Sequence, residues 1–125
     1  MADIKTAIIA AEESYQAAIN GTDLDAIVNH YTDDARVLPP GAETISGKEA
    51  IKEYFASLAA LGIAKSEFVT EECGGEGTHG FLRYSSKLYK EDGSLFEEGK
   101  GVVLYSKDSD GTWKIFLDVA NSNKQ

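Results

Sequence analysis

The chain has one cysteine, one tryptophan, two histidines and two prolines in 125 residues. It is also short of base, with 12 Lys and Arg against 21 Asp and Glu and a formal charge of −9. Each scarcity excludes something. Without clustered Lys and Arg there is nothing to neutralise phosphates, so no nucleic-acid partner is expected, nor an anionic membrane or a strongly anionic ligand. Cys73 alone closes no intrachain disulfide and no Cys-x-x-Cys pair exists, which points to a reducing, cytoplasmic compartment. No apolar run reaches transmembrane length, and Met1-Ala2-Asp3-Ile4-Lys5 opens no signal-peptide core. His30 and His79 belong to no His-x-x-x-His or Cys/His cluster, so neither a metal nor another cofactor is expected.

What is present has the composition of one globular domain spanning 1–125. Ile4, Ala7, Ile8, Ala11, Tyr15, Ala18 and Ile19 recur at helical spacing and predict a helix over 3–20, capped by Asp3 and stopped by Asn20-Gly21. A short helix after Thr22 presents Leu24, Ile27, Val28 and Tyr31. Ala35–Leu38 reads as a strand broken by Pro39-Pro40-Gly41. Ser46-Gly47-Lys48-Glu49 has the form of a capping box before a third helix with Ile51, Tyr54, Phe55, Leu58 and Leu61 on its stripe. Beyond Gly62 the period falls to two, giving strands at 64–73, 79–90, 95–107 and 112–121, with Asp92-Gly93 marking a hairpin. Helices first and a strand meander after is the α+β class. Three helices packed on a curved, mostly antiparallel sheet make a cone whose mouth is a natural apolar pocket.

Alternation assigns the pocket side chains. On the last strand the more apolar set is Trp113, Ile115, Leu117, Val119 and Asn121, expected inward; Lys114, Phe116, Asp118 and Ala120 are expected outward. Asp118 would join the site only if a bulge reversed that parity. On the strand over 79–90, Leu82, Tyr84, Ser86 and Leu88 are expected inward. Tyr15, Tyr31 and Phe55 come from the helical part. Outside the sheet, Phe116, Ala120, Val103 and Tyr105 form a candidate self-association patch, which predicts a homodimer through the sheet.

Gly75-Glu76-Gly77-Thr78-His79-Gly80 matches G-x-G-x-x-G, but the next residues read as strand and Glu76 would put negative charge in a phosphate cradle, so it is a turn. His30 ends the second helix, where its bland role is a cap; an imidazole at the pocket mouth would also suit acid/base work. Glu12-Glu13 reads as a solvated face. Glu71-Glu72 and Glu97-Glu98 each send one member inward, so an inward Glu72 is open. Tyr15 is either a core aromatic or a phenol donating to a ligand carbonyl.

The layout resembles the ketosteroid-isomerase-like group, also called SnoaL-like or nuclear-transport-factor-like. The carriers are Tyr15-Gln16-Ala17-Ala18-Ile19-Asn20, Asp23-Leu24-Asp25-Ala26-Ile27-Val28, His30-Tyr31-Thr32-Asp33-Asp34-Ala35, Gly47-Lys48-Glu49-Ala50-Ile51, Asp110-Gly111-Thr112-Trp113-Lys114-Ile115 and Asp118-Val119-Ala120-Asn121-Ser122. That group includes isomerases, dehydratases, epoxide hydrolases, polyketide cyclases and non-catalytic modules, so it implies the fold rather than an activity. The resemblance puts the steroid isomerases' oxyanion tyrosine on Tyr15, their catalytic Asp on Pro39, and their second donor near Gly101-Val102-Val103, where no acid stands. One role of three survives, which excludes that activity in that form. The resulting expectation is a protein that binds a small apolar or weakly polar ligand through Tyr15, Tyr31, Pro39, Phe55, Tyr84, Leu117, Val119 and Asn121. The alternatives are a proton-transfer enzyme in which Tyr15 polarises an oxygen and His30 or an inward acid moves the proton, and a structural dimer module.

Overall fold

Asp3 opens the first helix by accepting from the Thr6 amide at 2.7 Å, the N-cap expected of it. The computed structural model describes residues 3–21 and 23–123; Met1, Ala2 and Thr22, on which the leader and second-helix readings drew, lie outside them. Helix α1 runs Ile4–Ile19 and buries Ile8, Glu12 and Tyr15, one stripe at four- and three-residue steps. Glu12 is therefore not part of a solvated face, although Glu13 is exposed. At the other end Asn20 grips Ser66, accepting from its amide at 2.8 Å and donating to its carbonyl at 3.0 Å. This ties the helix end to the sheet.

Helix α2 is Leu24–Val28, capped by Asp23. Strand β1 follows as Tyr31–Leu38, four residues longer at its start than the apolar run Ala35–Leu38 suggested. A two-residue strand β2, Ile45–Ser46, pairs with it. This takes Ser46 out of the capping position. Helix α3, Lys48–Ala60, has Gly47 at its N-cap at φ 88° with no side-chain cap, so the capping box does not form. Leu61 falls beyond the helix and is exposed rather than on its buried stripe.

The four long strands are β3 Ile63–Glu76, β4 His79–Lys90, β5 Leu95–Lys107 and β6 Trp113–Ser122. The sheet order is β2-β1-β6-β5-β4-β3, antiparallel except where β1 lies parallel to β6. The architecture is the expected α+β cone, with helices over one face of a six-stranded sheet. Gly77-Thr78 closes the β3–β4 hairpin with Gly77 at φ 63°, so the G-x-G-x-x-G stretch is a turn between strands.

The inner face carries the core: Ile8, Ile51, Leu82, Val103 and Ile115 are all but sealed from solvent. Burying each such side chain contributes about 1.5–3 kcal/mol. α1 lies so close to the β3–β4 hairpin that a Cβ on Gly80 would fall 2.0 Å from Ile8 Cδ1. Glycine is needed there for helix–sheet approach.

Candidate functional site

The site is decided by one residue of register. On β5 and β6, Leu104 pairs with Leu117 but Tyr105 pairs with Ile115, so Phe116 is an extra residue in the ladder. Such a bulge flips the facing of everything beyond it. Ile115 faces the core as expected. Asp118 then faces inward too, between Val37 on β1 and Val103 on β5, and only 7% of it is exposed. Leu117 and Val119 are correspondingly turned out of the cavity, against the strict alternation expected of them.

Beneath α1 and α3 the sheet encloses a cavity of about 390 Å³, within the range of roughly 300–1,000 Å³ typical of small-molecule sites. Glu12, Tyr15 and Ile19 reach it from α1, and Tyr54, Phe55 and Leu58 from α3. Phe68 on β3 and Tyr84, Ser86 and Leu88 on β4 form a wall. Asp118, Ala120 and Asn121 close it along β6. Asn121 lies at an exposed position, not at the buried end.

Of the residues expected to bind ligand, Tyr15, Phe55, Tyr84 and Asn121 therefore line the cavity. Tyr31 stands behind it, fully buried and joined to its floor by hydrogen bonds. Leu117, Val119 and Pro39 do not line it; the neighbouring Pro40 does. His30 is also outside. Its Nδ1 is 2.8 Å from the Ala26 carbonyl and its Nε2 2.9 Å from Ser14 Oγ, which is a helix-end cap using both ring nitrogens. Glu72 is exposed and bonded to Arg83 at 2.7 Å; of the two strand pairs Glu71-Glu72 and Glu97-Glu98, it is Glu97 that lines the cavity.

Four phenols surround the two inner carboxylates. Tyr31 donates to Asp118 Oδ2 at 3.0 Å, and Tyr84 reaches Oδ1 at 3.5 Å. Because the single Tyr31 proton goes to Asp118, the 2.6 Å contact between Tyr15 and Tyr31 has Tyr15 as donor. Tyr15 is thus committed to the network and has no proton left for a ligand carbonyl. Tyr84 has the long, weak contact and can turn to a ligand. Its ring fits because Gly101 has no side chain: a Cβ there would lie 2.5 Å from Tyr84 Oη. On the other side Tyr105 donates to Glu12 Oε2 at 2.5 Å.

Burial dominates the electrostatics. It pushes the Asp118 carboxyl up to about 6 against the stabilising bonds from Tyr31 and Tyr84. Burial likewise pushes Glu12 up to about 7, opposed by Tyr105 and reinforced by the Asp118 charge. Tyr15, Tyr31, Tyr84 and Tyr105 are all raised, by burial first, and stay protonated donors. An Asp that is mostly ionised near neutrality, yet close enough to its pKa to take and return a proton, is chemically suited to general acid/base work. Among the described residues no group of three or more His, Cys, Asp and Glu is placed to hold a metal ion.

Sequence reasoning missed Glu12 and admitted Asp118 only on condition of a bulge, which the β5–β6 pairing contains. A signal for Glu12 existed, since it lies four residues after Ile8 and three before Tyr15. Asp118 carried none, because a bulge leaves no mark in the alternation of one strand.

Residues 11–114 match the SnoaL-like domain family. A ketosteroid isomerase-like protein from Erwinia carotovora superposes with a TM-score of 0.84 at 20% identity, covering 100% of both chains. A protein of unknown function with a cystatin-like fold from Nostoc punctiforme gives 0.80 at 13% identity, over 97% of this chain and 92% of that one. An NTF2-like protein of unknown function from Pseudomonas putida gives 0.79 at 16% identity, over 94% and 84%. At these identities the likeness is one of fold, while the match over residues 11–114 is one of family: the chain belongs to the SnoaL-like domain family.

Proposed function

We propose that the cone binds a small molecule with a largely apolar body and that Asp118 moves a proton on it. The observation that carries this is a buried carboxylate lining a largely apolar cavity. A carboxylate so placed is costly to a mere binding cup and useful to an acid/base. In this reading Asp118 takes a proton from an activated C–H or O–H of the ligand and returns it elsewhere, as an isomerase, dehydratase, cyclase or hydrolase requires. Tyr84 donates to the oxygen that gains charge. Tyr31 and Tyr15 hold the carboxylate in place and are positioning residues. The steroid-isomerase arrangement is not reproduced, because Pro39 holds no proton and is turned away from the cavity.

Native mass spectrometry of the purified protein, followed by incubation in D2O, tests this. A retained ligand that gains carbon-bound deuterium with the wild type and not with Asp118→Asn supports proton transfer. A ligand that is retained but never exchanges leaves a binding protein and refutes the catalytic role.

The outer sheet face supports self-association. Val103 and Tyr105 are buried on the inner face, so the outer apolar row differs from the one expected: Phe81, Leu104 and Leu117 stand opposite one another across β4, β5 and β6, beside Val102 and Val119. We infer a homodimer through this row.

A further inference from the structure

We propose that the ligand is a cation, an amine whose ammonium group pairs with Glu12 while its apolar body lies against the aromatic walls. The inference deepens the reading above: it rests on the cavity being a ligand site, and not on Asp118 transferring a proton.

Glu12 is 2% exposed and Asp118 7%, and both line the cavity. Their partners are neutral: Tyr105 and Gln16 for Glu12, Tyr31 and Tyr84 for Asp118. The ion pairs described for the chain are all between other residues, at the surface. Two acids thus share one cavity with no cation among the described residues paired to either. Glu91, which is exposed, and Glu97, which is half-buried, line the same cavity and carry the same sign. Among the described residues, the one basic side chain lining it, Lys65, is exposed and paired to Glu67 at 3.5 Å.

An anionic ligand would meet like charge along the lining. A neutral one would leave both acids with neutral hydrogen-bond donors alone and no opposite charge. An ammonium group satisfies Glu12 and lowers the repulsion between Glu12 and Asp118. The aromatic walls add to this: Tyr15, Tyr54, Phe55, Phe68 and Tyr84 line the same space, and ring faces attract cations. The expectation of an apolar or weakly polar ligand counted Leu117 and Val119 among the lining; the bulge puts Asp118 there instead.

Groups facing Glu12 are Tyr105 from β5, Asp118 from β6, Tyr84 from β4, and Tyr15 and Gln16 from its own helix, none of them cationic. Amine binding must therefore strengthen as pH rises from 6 to 8 and Glu12 ionises.

The test is calorimetric titration at pH 6 and pH 8, in physiological salt, with phenethylamine, 2-phenylethanol and 3-phenylpropionate, which differ mainly in charge. At pH 8 phenethylamine is expected to bind about tenfold tighter than the alcohol, with the acid weakest. Glu12→Gln removes this preference while keeping alcohol binding, which also shows that the variant is folded. Glu13→Gln, on the exposed side of the same helix, keeps the preference and so excludes a mere effect of net charge. An alcohol that binds as tightly as the amine, or a preference that persists in Glu12→Gln, overturns the cationic ligand and leaves the cavity reading standing. If none of the three binds, both readings fall.

Discussion

Tyr31 donates to Asp118 across 3.0 Å, though 87 residues separate them in the chain. Tyr15 donates to Tyr31 in turn, so two phenols in series fix one buried carboxylate. The arrangement links the end of α1, the start of β1 and the middle of β6.

Removing the middle member should be costly. Tyr31→Phe deprives Asp118 of its shorter hydrogen bond and strands the Tyr15 hydroxyl in the core. The expected loss is about 1–3 kcal/mol in urea denaturation. The Asp118 carboxyl should rise above its present value of about 6, because a bond that favours its ionised form is gone. Carboxyl-carbon NMR titration reads that shift; a fall in pKa would contradict the role given to Tyr31.

Stability should decline as pH rises from about 4 to 7 through these two acids. Their ordinary values are 3.8 and 4.5, and in the fold they are about 6 and about 7. Over that window the native state holds protons that the unfolded chain has lost, so raising the pH favours unfolding. The contribution is fully present below the unfolded values and is lost through the folded ones, about 3 kcal/mol for each group. Comparing wild type with the Glu12→Gln, Asp118→Asn double variant isolates it. The double variant should gain on wild type between pH 5 and pH 8, and a constant difference would contradict the assigned shifts.

Gly101→Ala probes the packing around Tyr84. The added Cβ would lie 2.4 Å from the Val119 carbonyl oxygen as well as against Tyr84 Oη. The expected loss is about 1–3 kcal/mol, with Tyr84 displaced from Asp118. Denaturation midpoints together with Tyr84 ring NMR shifts check both parts, and a neutral substitution would show that the sheet yields there.

Leu104→Lys tests the outer face. Leu104 stands between Phe81 and Leu117 in the apolar row. Sedimentation should show a dimer for wild type and a monomer for the variant, with unfolding little changed. A monomeric wild type at micromolar concentration would remove the proposed interface.

Local pattern carried much of the fold. Helical spacing over Ile4–Ile19, the change to period two after Gly62 and the glycine turns are written in neighbouring residues, and the elements follow them. So does most of the aromatic wall, since Tyr15, Phe55 and Tyr84 lie on stripes that any packing buries. What tertiary structure alone decided is where the acids go. Glu12 is drawn inside because Tyr105, 93 residues away, answers it with a hydroxyl. Asp118 faces inward because Phe116 is left out of the β5–β6 ladder, and a one-residue slip inverts every later side chain. Register is a property of two strands paired, not of either alone, so the inward facing of Asp118 had no counterpart in the local sequence.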